Sequence, residues 1–512
     1  MAFLRRPEAY GPSVADVATI ATHASVVFLA GDRAYKMKRA VRYPYLDYST
    51  LARRGRACER EVALNRRTAP ELYLGTAAVV RSPDGALALA RDGDAAAGAP
   101  VEWLVAMRRF DQAGLLDRLA AAGALTREVA ETLAERVAGF HALAAPVTSG
   151  RHGGGRAGLA WVVEDNREAL DGAPDLFPPS SVQAFGDAAD AALARLGPLL
   201  DRRLADGFVR DCHGDLHLAN VCLVDGAPVI FDGIEFNDRV SRIDVLYDLA
   251  FLLMDLVHRD LPAQANAVLN RYLGHTEDHA GLAALPLFLS QRAAVRAKVR
   301  AAAADLAAAD DERAGHERAA RAYFDAALGF LQPAAPLLVA VGGFSGSGKS
   351  SLARALAPVL GPAPGAVHLS SDVTRKALFG RAPQDRLPED AYAPAVNEAV
   401  YAAMRETAGT CLAAGHAVVC DAVHARDDER AALADLACQH GARFAGFWLD
   451  APAAALARRI TARAGDASDA TVAVLEDQVA RGAGTVTWTR LDATAPPDAA
   501  AAAALDALGL EV

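Results

Sequence analysis

Short apolar runs alternate along the chain with longer segments in which apolar residues recur every three or four positions, the respective patterns of strands and helices. Ser25–Ala30 is apolar, a Gly-Asp pair follows, and Arg33–Arg39 alternates, which predicts a β-hairpin. Thr50–Arg67 has the spacing of a helix. Much later, Val221–Val224 and Pro228–Phe231 flank an Asp-Gly pair and predict a second hairpin.

The last third of the chain has a different pattern, in which single apolar segments typical of strands each precede a helical segment. Leu337–Val341 is followed by a helical segment, and Val367–Ser371 and Ala417–Cys420 are further strands. Strands that alternate with helices predict a parallel α/β sheet. The connector Leu331–Pro336 contains two prolines. We therefore predict two domains, residues 1–333 and 334–512.

Composition and charge narrow the function classes. The 512 residues are 52% hydrophobic and 23% charged, as in an ordinary globular protein. A net charge of -10 argues against non-specific nucleic-acid binding by the whole surface. The six cysteines are scattered without a CxxC, so we expect reduced thiols. No stretch reaches the roughly 18 apolar residues of a membrane span, so we expect a cytoplasmic protein. The sequence contains no pattern that indicates the oligomeric state of the protein.

The stretch from Asp211 to Gly233 carries a set of polar residues suited to phosphoryl transfer. It contains a His-Gly-Asp, an Asn five residues after that Asp, and a second Asp at the end of an apolar run. Such transfer needs a carboxylate to orient the attacking hydroxyl, and an amide oxygen and a second carboxylate to hold Mg²⁺ on ATP. Asp215 fits the first role, and Asn220 and Asp232 fit the other two. The hairpin between them would bring Asn220 and Asp232 close together.

The order H-x-D-x-x-x-x-N, apolar strand, D resembles the catalytic loop and metal site of aminoglycoside-phosphotransferase-like kinases, relatives of protein kinases. Kinases need a strand lysine on the ATP phosphates and a helix glutamate that holds it. Lys36 and Glu61 are the candidates. Lys36 and Lys38 share a strand face, so alternation does not choose between them. The segment AYKMK resembles a Y-K-x-K arrangement in related kinases, which favours Lys36. The resemblance also implies that Asp248, in YDLAF, braces the catalytic loop.

A row of basic residues lies on the helix predicted over Leu287–Ala303. Arg292, Arg296 and Arg300 are four apart and share one face. One interpretation is a solvated or ion-paired face. The other is an anion-binding wall of the substrate cleft, with Arg292 and Arg296 on the substrate. Because arginines in the cleft would repel a polycationic aminoglycoside, this second interpretation favours a neutral or anionic substrate.

A second centre begins where the strand Leu337–Val341 runs into GFSGSGKS and a helix. This matches the phosphate-binding G-x-x-x-x-G-K-S in its strand–loop–helix context. Lys349 would reach the β/γ-phosphates and Ser350 would ligate Mg²⁺. The predicted nucleotide contacts are Gly343, Ser345, Gly346, Ser347, Gly348, Lys349, Ser350 and Ser351.

The segments SSDVTRK, VVCDAVH and RRITAR resemble small P-loop kinases of the polynucleotide-kinase, zeta-toxin and gluconate-kinase group. By that resemblance, Asp372 receives the substrate hydroxyl proton and Arg375 holds the substrate. Asp421 either supports Mg²⁺ or binds substrate. Arg459 and Arg463 would lie in a lid over the transferring phosphate. The alternatives are that the two carboxylates only cap helices and that the two arginines lie on a solvated face.

Together these features resemble a tandem bacterial protein in which an aminoglycoside-phosphotransferase-like kinase domain precedes a P-loop kinase domain. The implied fold class is mixed α/β and α+β: a two-lobed protein-kinase-like domain, then a P-loop domain with a parallel sheet. We expect a bifunctional phosphotransferase that uses ATP and Mg²⁺ on hydroxyls of small molecules other than aminoglycosides. Two alternatives stay open. One domain could be a nucleotide-sensing regulator, or the P-loop domain could phosphorylate nucleic-acid 5′ ends.

Overall fold

The computed structural model describes residues 1–22, 24–43, 46–91, 98–147, 154–382, 385–462 and 468–510. The chain forms two compact units, Met1–Arg259 and Asp260–Val512. The boundary predicted at 333/334 lies inside the second of these units. As a division between family domains it stays a prediction.

Unit 1 combines antiparallel strands with helices that follow and interrupt them. Its strands are β1 Val17–Ala21, β2 Ser25–Ala30, β3 Arg33–Lys38, β4 Arg42–Tyr43, β5 Leu46–Asp47, β6 Tyr73–Arg81, β7 Leu87–Arg91, β8 Ala99–Arg108, β9 Val209–Asp211, β10 Val221–Val224, β11 Ala227–Ile230 and β12 Arg242–Asp244. Its helices are α1 Leu51–Asn65, α2 Leu116–Ala121, α3 Arg127–Leu143, α4 Gly155–Asp171, α5 Pro179–Ala205, α6 Asp238–Ser241 and α7 Val245–His258.

Six strands of unit 1 form one antiparallel sheet in the order β1-β2-β3-β8-β6-β7. The predicted N-terminal hairpin is the β2–β3 pair, in which Ser25 opposes Lys38. Phe28, Tyr35 and Leu104 fill the core on one side of this sheet. On the other side α1 packs against β8 and β6, and it carries Glu61 toward the strand lysines. The Thr50 hydroxyl caps α1 by accepting a hydrogen bond from the Arg53 N–H.

The second predicted hairpin is the β10–β11 pair. Val221 opposes Ile230, and both residues of the connecting turn, Asp225 and Gly226, have positive φ. That conformation matches the twist of the strands in a two-residue hairpin, which explains the Asp-Gly sequence. The return strand starts one residue earlier than predicted, at Ala227. The hairpin therefore places the end of β11 beside the beginning of β10.

Helix α7 is apolar on almost every side because unit 1 encloses it. All its residues from Val245 to Leu256 are buried, including Asp248 and Asp255, whose carboxylates have partners. Its 14 residues are fewer than a bilayer crossing requires. Nowhere in the described ranges does a helix combine the length and apolarity needed to cross a membrane.

Unit 2 starts with three helices and continues as an α/β layer structure. Its helices are α8 Pro262–Thr276, α9 Leu285–Leu306, α10 Asp310–Phe330, α11 Lys349–Leu356, α12 Ser371–Leu378, α13 Pro394–Ala413, α14 Asp427–Gln439, α15 Ala453–Ala462, α16 Val472–Arg481 and α17 Pro497–Leu508. Its strands are β13 Leu337–Gly342, β14 Val367–Ser370, β15 Val418–Asp421, β16 Arg443–Asp450 and β17 Thr489–Asp492.

The five strands of unit 2 form a parallel sheet, as the alternation of strands and helices in the sequence predicted. Their order is β14-β15-β13-β16-β17. β13 lies in the middle, so the loop that follows it opens at the carboxyl edge, where ligands bind in such sheets. The predicted end of β14 is wrong. β14 stops at Ser370, and Ser371 and Asp372 form the first turn of α12. A carboxylate in a first turn faces the positive end of the helix dipole, which favours that position.

Candidate active sites

In unit 1, two neighbouring lysines of β3 share a single glutamate of α1. The Lys36 Nζ lies 2.9 Å from Glu61 Oε1 and 2.5 Å from Asp232 Oδ1. Lys38 pairs with the other oxygen of Glu61 and with Glu235. Lys36 is thus the lysine that reaches the predicted metal ligand Asp232.

Burial and charge act in opposite directions on these lysines. Burial lowers the pKa of Lys36, but the carboxylates of Asp232 and Glu61 outweigh it and hold that pKa well above its usual value. The same balance holds for Lys38, where Glu235 and Glu61 raise the pKa. Glu61 is fully buried, so its charge is compensated by the two ammonium groups and not by water.

The His-Gly-Asp segment turns sharply and is held by one carboxylate. Gly214 has φ +83°, and a Cβ there would lie 2.7 Å from the Val240 carbonyl oxygen, so only glycine fits. Asp248 accepts hydrogen bonds from the N–H groups of His213 (3.0 Å) and Gly214 (2.9 Å). Its Oδ2 also lies 3.1 Å from His141 Nε2. These contacts are those of a brace for the loop.

Asp215, Asn220 and Asp232 come together through the β10–β11 hairpin. The Asn220 amide nitrogen donates to the Asp215 backbone oxygen (2.9 Å) and carboxylate (3.0 Å). At the other end of the hairpin the Phe231 N–H donates to the Asn220 carbonyl at 3.0 Å, which places Asp232 beside Asn220. Because the amide nitrogen of Asn220 faces Asp215, its oxygen is the atom left to act as a ligand.

Asp232 adopts a backbone conformation that non-glycine residues seldom show. Its φ is +63°. Neighbouring groups hold this turn: the Asp232 N–H donates to the Tyr73 hydroxyl at 3.2 Å, and the next N–H, of Gly233, donates to Asn65 Oδ1 at 2.7 Å. The Asp232 carboxylate is 41% exposed while it pairs with Lys36. A carboxylate and an amide oxygen are hard donors suited to Mg²⁺, so this donor set fits that ion.

Several residues around this site were missing from the sequence prediction. Glu235 and Tyr48 complete the Lys38 cluster, and the Tyr48 hydroxyl hydrogen-bonds to Glu235. Asp255 of α7 accepts the Leu218 N–H at 3.0 Å and so supports the turn before Asn220. Glu235 lies far from Lys38 and Tyr48 in the chain. Of these residues, Asp255 had a local signal, since it is a polar residue inside an apolar segment.

The arginine row of α9 packs against a neighbouring helix of its own unit. The Arg296 guanidinium lies over the Tyr323 ring of α10, 5.6 Å from its centroid. Arg300 approaches His316 of the same helix at 3.4 Å. Arg292 is 4% exposed. The prediction of a shared face is correct, but a buried guanidinium and one stacked on Tyr323 do not form the wall of an open cleft, so we withdraw Arg292 and Arg296 as substrate residues.

In unit 2 the loop after β13 requires its glycines. Gly343, Gly346 and Gly348 have φ of +144°, +83° and +92°. A Cβ on Gly343 would lie 2.8 Å from the Leu449 carbonyl, and one on Gly346 equally close to that of Leu456. The loop therefore exposes backbone where a side chain has no room, the property that lets such loops wrap phosphate.

The predicted nucleotide contacts follow this loop into α11. The Lys349 Nζ donates to the Phe344 carbonyl at 3.2 Å and so lies across the loop. The Ser347 side chain is buried within it. The Ser345 N–H donates to Gln478 of α16 at 2.9 Å. Ser350 and Ser351 open the helix and line the adjoining cleft.

Ser350, Asp421 and His368 form a connected group at the edge of this loop. The Ser350 hydroxyl hydrogen-bonds to Asp421 Oδ2, and His368 Nε2 lies 3.2 Å from Asp421 Oδ1. Burial alone would raise the pKa of Asp421, but His368, Ser350 and Lys349 lower it to about 2. A hydroxyl beside an ionised carboxylate is again an all-oxygen donor set that fits Mg²⁺.

A cleft of about 1770 Å³ opens beside the loop. Asp372 lines it, and burial raises the pKa of this carboxyl although Lys349 lies close enough to lower it. Arg375 also lines the cleft; it donates to the Ala391 carbonyl at 2.8 Å and stacks on the Tyr392 ring. The structure thus brings Asp372, Arg375, Lys349 and Asp421 to one cleft.

Of the two arginines predicted to form a lid, the structure describes one. Arg459 of α15 lines the cleft and donates to the Ala493 carbonyl at 2.7 Å. Arg463 lies outside the described residues. Its role therefore stays a prediction.

Two family models match the chain in the order that the motifs predicted. The phosphotransferase enzyme family matches residues 51–285. The AAA domain family matches residues 338–483. The first match contains Asp215, Asn220 and Asp232, and the second contains the glycine-rich loop, Asp372 and Asp421.

Among known proteins, the chain is similar to uncharacterized proteins of Mycobacterium bovis and Mycobacterium tuberculosis. Each is 31% identical over 487 residues, which cover 93% of this chain and 92% of the relative. Solved structures with partial likeness include a choline/ethanolamine kinase family protein of Mesorhizobium loti. Its sequence is 16% identical, the match covers 64% of this chain and 97% of that chain, and the TM-score is 0.38. Another is the APS kinase of Mycobacterium tuberculosis. Its sequence is 22% identical, the match covers 35% of this chain and 99% of that chain, and the TM-score is 0.27.

Proposed function

Because this chain belongs to the family of proteins in which a phosphotransferase-family domain precedes a P-loop AAA domain, and is an ATP-dependent kinase, we propose that it is bifunctional. Each domain transfers a phosphoryl group from ATP to a hydroxyl of its own small-molecule substrate. The observation that supports this proposal is that each unit brings together a lysine, oxygen atoms of a kind that suits a cation, and a further carboxylate.

In unit 1 the roles follow from position. Lys36, held by Glu61, binds the α/β-phosphates of ATP. Asn220 and Asp232 hold Mg²⁺, which when bound neutralises charge on the β- and γ-phosphates. Asp215 accepts a hydrogen bond from the substrate hydroxyl and takes its proton as the phosphoryl group is transferred. The Asn220 amide, bonded to Asp215, keeps that carboxylate pointed in one direction.

In unit 2 the glycine-rich loop and Lys349 bind the phosphates, and Ser350 and Asp421 hold the cation. Asp372 accepts the proton of the substrate hydroxyl. Burial raises its pKa, which makes it a stronger base than an exposed aspartate. Arg375, fixed by Ala391 and Tyr392, positions the substrate in the cleft.

The substrate of unit 1 is proposed only as a small-molecule hydroxyl. The expected preference for a neutral or anionic compound over an aminoglycoside depended on Arg292 and Arg296. Because those side chains are buried or stacked on α10, that preference has lost its support.

The test is a metabolite-library screen for ATP consumption with three chains: Asp215→Asn, Lys349→Ala and the double variant. We expect each single variant to lose a different set of substrates and to keep the other set, with products identified by mass spectrometry. The double variant is the control for background hydrolysis.

Bifunctionality would be refuted if one single variant lost all activity and the other lost none, since one domain would then be a regulator. Salt-sensitive binding of oligonucleotides by the Asp215→Asn chain, with phosphate transfer to their 5′ ends, would instead assign unit 2 to nucleic acid.

A further inference from the structure

The outer edge of the parallel sheet in unit 2 is closed by two asparagine side chains of α8. β14 is the edge strand of the sheet. The Asn266 amide nitrogen donates to the carbonyls of Pro364 (3.1 Å) and Ala366 (3.0 Å). The Asn270 amide donates to the Ala366 carbonyl at 3.2 Å, and its oxygen accepts the His368 N–H at 2.7 Å. A helix thus supplies the hydrogen bonds that a further strand would supply.

The geometry of a parallel strand explains why asparagine serves here. Successive N–H groups point to opposite sides of a strand: that of Val367 donates to Ala417 at 2.9 Å, next to β15, so that of His368 points to the open edge. A carboxamide carries the same donor and acceptor as a peptide group. Asn266 and Asn270 are one helical turn apart, so both face the strand.

This edge is connected to the cation site of the P-loop. The residue that Asn270 holds by its backbone, His368, reaches Asp421 Oδ1 with its ring at 3.2 Å. The other oxygen of Asp421 bonds to the Ser350 hydroxyl. Because a carboxylate only accepts hydrogen bonds, His368 Nε2 is the protonated nitrogen. An unbroken series of contacts therefore runs from α8 to Ser350.

We propose that Asn270 and His368 are positioning residues of the P-loop kinase site, so that α8, a helix inside the segment matched by the phosphotransferase family, completes the cation site of the other family domain. Asn270 fixes the position of the β14 backbone at His368. The His368 ring in turn fixes the orientation of the Asp421 carboxylate. The inference rests on the proposed role of Ser350 and Asp421 as cation ligands. Partners of this kind commonly change metal affinity or activity about 10- to 100-fold when they are lost.

The test compares two matched pairs of variants in the full chain. Asn270→Ala removes the contact to His368. Asn266→Ala removes two hydrogen bonds to the same edge and the one that Asn266 Oδ1 accepts from the Asn270 amide at 3.0 Å, but it keeps the Asn270 oxygen that accepts the His368 N–H. His368→Leu removes the ring nitrogen, whereas His368→Gln places an amide N–H near the position of Nε2. The readout is the Mg²⁺ concentration that half-saturates binding of a fluorescent ATP analogue, measured in a Lys36→Met background so that unit 2 dominates the signal.

We expect Asn270→Ala and His368→Leu to raise the half-saturating Mg²⁺ concentration about 10- to 100-fold, and Asn266→Ala and His368→Gln to leave it near the parent value. Equal shifts for Asn270→Ala and Asn266→Ala would overturn the inference, since they would indicate general packing only. If Asn270→Ala does not fold, the two His368 variants carry the test, and equal shifts for them overturn it.

Failure of the underlying function gives a different result. Ser350→Ala and Asp421→Asn must shift the same Mg²⁺ dependence if these residues hold the cation. If they leave it unchanged, the proposed cation site is wrong. If they shift it and neither Asn270→Ala nor His368→Leu does, the cation site stands and only the positioning role fails.

Discussion

The two strand lysines of unit 1 should separate stability from nucleotide binding when each is replaced by methionine, which keeps the length of the side chain and removes its charge. Lys36 contacts Glu61 and the half-exposed Asp232, whereas Lys38 contacts Glu61 and the buried Glu235. The same chemical change therefore removes two different sets of interactions. Sequence alternation left the choice between these lysines open, and this experiment decides it.

The expected magnitudes follow from what each variant leaves uncompensated. Lys36→Met leaves Glu61 with Lys38, and leaves Asp232, whose side chain is 41% exposed, to water. We expect it to cost about 1 kcal/mol of unfolding free energy, as for exposed pairs. Lys38→Met leaves Glu235, 4% exposed, without its ammonium partner, and breaking a buried pair costs about 3–5 kcal/mol.

Nucleotide binding should show the reverse order. In the proposed function Lys36 binds the phosphates, and a hydrogen bond to a charged group contributes about 1.5–3 kcal/mol, so its loss should weaken ATP binding about 10- to 100-fold. Lys38 pairs with carboxylates on both sides, so Lys38→Met should weaken binding less, through displacement of Glu61 alone.

The assay separates the units by their tryptophans. The chain has four, of which Trp103 and Trp161 lie in unit 1 and Trp448 and Trp488 in unit 2. In a Trp448→Phe, Trp488→Phe background, urea unfolding followed by fluorescence reports on unit 1. ATP binding is measured in a Lys349→Ala background. Equal stability losses for the two variants, or ATP binding lost in Lys38→Met and retained in Lys36→Met, would refute the reasoning.

Three further predictions concern unit 2. Asp421 has its pKa lowered from 3.8 to about 2, so it contributes about 2 kcal/mol of stability above pH 4 that is lost as pH falls toward 2; Asp421→Asn should therefore show a shallower acid decline of the urea midpoint, and an unchanged decline would contradict this. Because burial raises the pKa of Asp372, kcat/KM should rise with pH through a value above 3.8, and Asp372→Asn should remove that limb as well as most of the rate. Gly343→Ala would place a methyl 2.8 Å from the Leu449 carbonyl at φ +144° and should cost about 1–3 kcal/mol by urea unfolding, whereas Gly482→Ala, with open space around it, serves as the control for backbone strain alone.

The sequence predicted those parts of the sites that depend on local backbone geometry. The Asp-Gly turn between β10 and β11 and the glycines before Lys349 require specific dihedral angles, and these leave a residue signature at fixed spacing. Hence the juxtaposition of Asn220 with Asp232, and the position of Lys349 at the start of α11, could be expected from the sequence.

Interactions between distant segments left no such signature. Lys38 and Glu235 are 197 positions apart, and the sequence around each residue does not indicate that the two form a pair. The spacing of Arg292 and Arg296 showed that they share a face, but it did not show that α10 covers that face. Asn266 and Asn270 drew no prediction from the sequence, because the strand edge that they meet comes about 100 residues later.

The asparagine-closed edge also limits how this chain can be dissected. A fragment begun at residue 334, the predicted start of the second domain, would contain all five strands of the parallel sheet but neither Asn266 nor Asn270. The N–H of His368 and the carbonyls of Pro364 and Ala366 would then face solvent along a bare strand, the situation in which sheets recruit strands from other molecules. Anyone who expresses the P-loop kinase separately should start the fragment before α8, or expect it to self-associate.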